Sequence, residues 1–125
     1  MTIQIQWGDP QQASIQINLT APFDLNGWYN AITEVSMMLN SKQHPVDIIL
    51  DLTKFDRLPM QLIDALNSSK PRFHDNQYAQ IAVVQHPLLI PMQALLKETD
   101  MLHGTAVVAS LIEAYQLPDQ MRVVA

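Results

Sequence analysis

Apolar and polar residues alternate twice near the start of the chain. Ile3, Ile5 and Trp7 are interleaved with glutamines, and Ile15, Ile17 and Leu19 with Gln16 and Asn18. Successive side chains of a strand point to opposite faces, so a period of two predicts two strands, each with one covered face. The turn-forming run GDPQQ between them predicts a hairpin. Its glutamine and asparagine face is left either to solvent or to an oligomer partner. From Asp24 the period changes. Leu25, Trp28, Ile32, Val35 and Leu39 recur at spacings of three and four, the mark of an amphipathic helix, with Asp24 as its cap. Tyr29 and Met38 are expected to widen the apolar stripe, with Met38 filling core.

SKQHP then breaks the helix, and Pro45 suits a strand start. VDIILDL is nearly continuous and rich in branched residues, which predicts a central strand covered on both faces, its Asp47 end partly exposed. Pro59 opens a second helix, whose inward face is Leu58, Leu62, Ile63 and Leu66. NSSKPRFHDN reads as a loop. YAQIAVV reads as another buried strand, ended by His86-Pro87. A third helix over roughly 90–101 is opened by Pro91, with Leu95, Leu96 and Thr99 inward, and His103-Gly104 ends it. Met37, Met60 and Met92 are placed on exposed helix edges. TAVV is a short last strand. SLIE, from Ser110 to Glu113, matches a capping box and starts a short final helix expected to stop before Pro118. The order is strand, strand, and then helices alternating with strands. That predicts an α/β fold, a mostly parallel mixed sheet of about five strands with about four helices. No linker or internal repeat interrupts it, so residues 1–125 read as a single domain.

Composition narrows the function classes. Charged residues make up 15% of the 125, against about 25% in an ordinary globular chain. A weakly charged surface makes self-association, as a homodimer, an expectation. Net charge is −5 and basic residues form no cluster, which argues against nucleic-acid partners. There is no cysteine; disulfide and thiolate chemistry are excluded, and a cytoplasmic setting is suited. The start of the chain lacks the features of a signal peptide, and no apolar run approaches the ~20 residues of a membrane span. Three glycines leave no phosphate-cradling loop, and there is no G-x-S-x-G elbow. No cofactor and no metal site are implied; His74-Asp75 with His86 lacks ligand spacing.

VDIILDLTKF, QIAVVQHPLLIPMQALL and TAVVASLIEAYQL resemble the central strand and the later strand–helix units of the STAS-like family, the sulphate-transporter and anti-sigma-factor-antagonist type. The resemblance runs from about Ile15 to Leu117. It implies a STAS-like fold and, from the family's best-known branch, regulation by binding a partner kinase. That branch carries an Asp-Ser-Ser-Gly-like motif at the start of the helix after the central strand, with a phosphorylatable serine. FDRLPMQL stands there in this chain. Asp56 matches the aspartate, but Arg57, Leu58 and Pro59 replace the small and hydroxyl-bearing residues, so the phosphoacceptor is missing. The chain looks more like the small standalone members of the family.

Open parallel sheets bind ligands beyond the carboxyl ends of their strands. That edge should gather Thr53, Asp56, Arg57, Gln85, His86 and Ser110. Of these, Thr53, Asp56, Arg57 and His86 are the candidate partner- or ligand-binding residues. His86 titrates near neutrality, and Arg57 offers a rigid bidentate fork. Each also has a structural role open to it: a strand-end histidine bonded to backbone or water, Asp56 as a helix-start charge, Ser110 as a cap. The leading expectation is a non-catalytic binding or regulatory protein acting by protein–protein contact. Binding of a small, apolar or lipid-like molecule is the alternative, and a small enzyme using His86, Asp56 and Arg57 comes third.

Overall fold

A computed structural model describes residues 2–68, 77–96 and 105–124. The predicted order holds. β1 (Ile3–Trp7) and β2 (Ser14–Leu19) form the hairpin, and α1 (Leu25–Asn40), β3 (Val46–Asp51), α2 (Met60–Ser68) and β4 (Gln77–Val83) follow. A 3₁₀ turn at His86–Leu88 leads into α3 (Leu89–Leu95), and β5 (Thr105–Val108) and α4 (Leu111–Val124) close the order. The five strands lie side by side in chain order. β1 is antiparallel to β2, and β2, β3, β4 and β5 are parallel. Each parallel neighbour is reached by one crossover helix, as the short, one-handed connections of α/β folds require.

The alternation of side chains divides the two faces. Ile15, Ile17, Leu19, Ile48, Leu50, Ala82 and Val84 form one core with Trp28, Val35 and Leu39 of α1, Leu62, Ile63 and Leu66 of α2, and Met92 of α3. Ile49, Ala79, Ile81, Val83 and Val108 form a second core beneath Ala114, with Leu111, Tyr115 and Leu117 packed against it. Three helices thus cover one face and α4 covers the β3–β5 half of the other. On the remaining half Gln4 and Gln6 are exposed and Gln16 and Asn18 half-buried. Within one chain, this amide-rich face meets solvent.

Local chemistry explains the turns. The Asp9 carboxylate accepts the N–H groups of Ala13 at 3.0 Å and Ser14 at 2.9 Å, and the Ser14 hydroxyl at 2.8 Å. One side chain therefore holds the hairpin loop, satisfying amides that the ladder cannot reach. Asp24 caps α1 by accepting from the amides of Asn26 and Gly27, both at 3.3 Å. Ser110 caps α4. Its hydroxyl accepts the Glu113 amide and donates to the Glu113 carboxylate, each at 3.2 Å, so the carboxylate closes the box on the hydroxyl.

Six expectations need correction. Tyr29 is exposed, because it sits about 100° around the helix from Trp28, past the flank of the stripe. Asp47 is buried; β3 runs between β2 and β4, and at its start Asp47 stands beside Ser14 of β2 while its amide donates to the Ala13 carbonyl at 2.9 Å. Met92 is fully buried and Leu95 exposed. The 3₁₀ turn before α3 advances the chain at three residues per turn, which resets the phase so that Met92 and Leu96 point inward. α3 ends at Leu95, short of the expected residue 101. Finally, α4 continues past Pro118 to Val124. A proline there forfeits one backbone bond, and the flanking turns carry the helix through. Thr99, His103, Gly104, His74-Asp75 and most of the predicted NSSKPRFHDN loop lie outside the described residues.

Candidate functional site

β2 and β3 are parallel neighbours, so both open at the same edge of the sheet. The loop leading from β2 to α1 therefore meets the loop leading from β3 to α2. Together they wall a hollow of about 370 Å³ lined by residues 21–23 and 54–59. Its apolar side is Pro22, Phe23 and Leu58, and its polar side is Lys54, Asp56 and Arg57. Phe23 is propped by the buried Trp28, the two ring centroids 6.3 Å apart and tilted by 49°. That separation lies within the ~4.5–7 Å over which aromatic rings attract.

The loop after β3 is held from within. The Asp51 carboxylate accepts the Thr53 N–H at 3.0 Å and the Thr53 hydroxyl at 2.6 Å. This is the side-chain-to-backbone closure that aspartate makes two residues ahead of itself. From the end of β4, the Gln85 amide donates to the Thr53 carbonyl and to the Asp56 carboxylate, both at 3.0 Å. Phe55 anchors the loop's middle in the core, 4% exposed. The Pro59 carbonyl accepts the first helical amides, from Leu62 and Ile63, at 2.9 and 3.1 Å.

The predicted edge grouping is therefore realised in part. Thr53, Asp56 and Gln85 join one hydrogen-bonded network, and Asp51 belongs to it as well. Arg57 lies on the rim, exposed. His86 is exposed at the start of the 3₁₀ turn, and no hydrogen bond joins it to Asp56 or Arg57 among the described residues. Ser110 is engaged as a cap. Lys54, which follows β3 directly, is added to the edge grouping, and Pro22 and Phe23 join it without having been expected there. The signal for Phe23 lay in topology: with β2 and β3 adjacent and parallel, the residues following β2 must share the edge with those following β3.

A second hollow, about 270 Å³, adjoins the first across Lys54 and opens on the amide-rich face. Thr2, Gln4, Gln16, Asn18, Thr20 and Asp51 line it. Its polar groups already hold one another. The Gln16 side-chain amide donates to Asn18 Oδ1 at 2.8 Å, and the Tyr115 hydroxyl of α4 donates to Gln16 Oε1 at 2.5 Å. Burial, reinforced by the negative charges of Asp9 and then Asp51, holds the Tyr115 phenol above its ordinary pKa, against a smaller opposing effect of the Ser14 hydrogen bond.

Chemically, the edge is a shaped surface with fixed walls. Every buried side-chain polar atom among the described residues has a partner, so none is left aimed into either hollow. No three His, Asp or Glu side chains among them converge as metal ligands would, and no helix among them is long and apolar enough to cross a membrane. Compared with family models, with curated proteins and with solved structures, the chain matches none.

Proposed function

We propose that this chain is a non-catalytic binding or regulatory protein that acts by protein–protein contact, and that the β3 exit with the first turn of α2 is the contact surface. One observation carries the reading. The hydrogen-bonding groups of the exit are engaged in fixing the loop, while Lys54, Arg57 and the 49%-exposed Met60 are left at the surface around an apolar-sided hollow. A pre-fixed surface loses little conformational entropy on binding, and arginine and methionine are enriched in contact patches. The STAS-like relationship is part of the proposal. Serial strand order with three crossover helices on one face supports it, and the place where that family's switch motif stands is occupied here by Asp56, Arg57, Leu58 and Pro59. This is an argument from fold analogy, and it assigns contact without phosphorylation. A cytoplasmic setting, suited to a cysteine-free chain, belongs to the same proposal.

The test pairs two measurements. Tagged wild-type chain and an Arg57→Glu/Met60→Asp variant are used to capture partners from an extract of the source cells. The reading expects a stoichiometric partner with the wild type, lost with a variant whose circular dichroism is unchanged. Native mass spectrometry after mild purification is expected to give the apo mass. A partner held equally by both chains, or a small molecule released on denaturation, overturns the reading, the latter in favour of a ligand carrier.

A further inference from the structure

The open edge of the sheet points to an interaction separate from the β3 exit. Gly8 donates to the Ser14 carbonyl at 2.8 Å and Thr20 to the Thr2 carbonyl at 3.1 Å. In an antiparallel ladder, hydrogen-bonded and non-bonded pairs alternate. With Ile3 opposite Leu19 and Ile5 opposite Ile17, the even residues of β1 are bonded to β2. The N–H and C=O groups of Ile3, Ile5 and Trp7 therefore point away from the sheet. No hydrogen bond reaches them among the described residues.

Natural edge strands are ordinarily blunted by charge, proline or a bulge. The residues of β1 supply none of these: the strand reads Ile-Gln-Ile-Gln-Trp in unbroken register, and the nearby cation, Lys42 of the α1–β3 loop, lies over the Trp7 ring, 5.2 Å from its centroid. The adjacent acid, Asp9, is engaged by its own loop. Ile3, Ile5 and Trp7 are only half-buried, although they lie on the helix-covered face.

We infer that β1 pairs with β1 of a second copy of this chain, antiparallel, about a two-fold axis through Ile5. The edge is self-complementary in that register. Ile3 stands opposite the partner's Trp7, Ile5 opposite the partner's Ile5, and Trp7 opposite the partner's Ile3. All the outward groups of the three residues then meet partners, since each such pair exchanges two bonds. The half-exposed apolar side chains of both copies become contiguous on the helix face. On the other face Gln4 stands opposite the partner's Gln6, so no like charges oppose each other. A slip of two residues removes either Trp7 or Ile3 from the ladder, which fixes the register. The isologous contact closes as a dimer with one continuous sheet. The net charge of −5 per chain opposes association only over distances that salt screens, so added salt tightens the pair.

The test uses charge on the exposed glutamines, which leaves the packed face intact. Analytical ultracentrifugation of the wild type is expected to show a concentration-dependent dimer. Gln4→Glu/Gln6→Glu sets two carboxylate pairs face to face across the axis and is expected to weaken it at least about tenfold. Gln4→Lys/Gln6→Glu sets opposite charges in the same places and restores it. Amide exchange at Ile3, Ile5 and Trp7 is expected to slow in step with the dimer fraction. Three results overturn the inference: a wild type monomeric at its highest soluble concentration, a dimer indifferent to both double substitutions, or edge amides protected only by a different protein's strand.

Discussion

Gly8 ends β1 where three elements converge, and replacing it with alanine tests how tightly α4 is locked to the hairpin. A methyl group at Gly8 would fall well inside contact distance of the Tyr115 hydroxyl, 2.6 Å from the Ser14 hydroxyl and 3.1 Å from Tyr115 Cε1. Neither hydroxyl moves freely. Ser14 is buried and donates to Asp9 at 2.8 Å, and Tyr115 donates to Gln16 at 2.5 Å. Displacing both weakens two hydrogen bonds worth about 1 kcal/mol each, on top of overpacking strain of roughly 1–3 kcal/mol. Gly8→Ala should then cost up to about 3–5 kcal/mol, a large share of the ~5–15 kcal/mol that holds a domain together. Urea titration followed by circular dichroism should show a lower midpoint with an unchanged slope. Tyr115→Phe removes the nearest of the three obstructing atoms. In that background the cost of Gly8→Ala should fall by at least about 1 kcal/mol, a coupling a double-mutant cycle resolves. A Gly8→Ala variant within about 0.5 kcal/mol of wild type, or strict additivity with Tyr115→Phe, would refute the reasoning.

Two further outcomes follow from named interactions. Gln85→Ala removes both bonds that fasten the exit loop from β4; it should cost about 1 kcal/mol and speed amide exchange over residues 53–57, and unchanged exchange there would show that the loop holds itself. Tyr115 gives a pH dependence: its phenol is held above the ordinary 10.0 by burial, then by Asp9 and Asp51, so the folded state favours the protonated form. That contribution is fully present below the unfolded value and lost as pH rises through the folded one. Thermal melts should therefore show the stability gap between wild type and Tyr115→Phe closing above about pH 10, and near-ultraviolet phenolate absorbance should show a late-titrating tyrosine that Tyr115→Phe removes.

The elements were legible because each carries its own period. Ile3-Ile5-Trp7 alternates, Trp28-Val35-Leu39 recurs at the helical spacing, and Val46–Asp51 is continuous because both of its faces are covered, by α1–α3 and by α4. Errors arose where one residue's fate depends on a rotation or a neighbour that the local pattern does not encode. Met92 and Leu95 exchanged places because a 3₁₀ turn shifted the helical phase. The strand's own pattern leaves Asp47 at an exposed end, whereas its burial goes with the place of β3 between β2 and β4. The site was legible on the β3 side, where Thr53 and Asp56 follow their strand directly. Phe23 lies about thirty residues earlier and joins the hollow only because β2 and β3 are adjacent, an order read from hydrogen-bond registers and from no local motif. The end of β4 puts Gln85 at the right edge, but that it clasps Thr53 and Asp56 depends on the length of the turn between.

The central claim is that the β3 exit is a contact surface for a protein partner. Site-specific photo-cross-linking in the source cells tests it most directly, with the cross-linker placed in turn at Arg57 and at Glu34, an exposed position on α1. The expected result is a discrete cross-linked protein at Arg57 that Glu34 does not capture and that disappears when Met60→Asp is added. Equal capture at both positions, or none at Arg57 while the chain is folded and abundant, would contradict it.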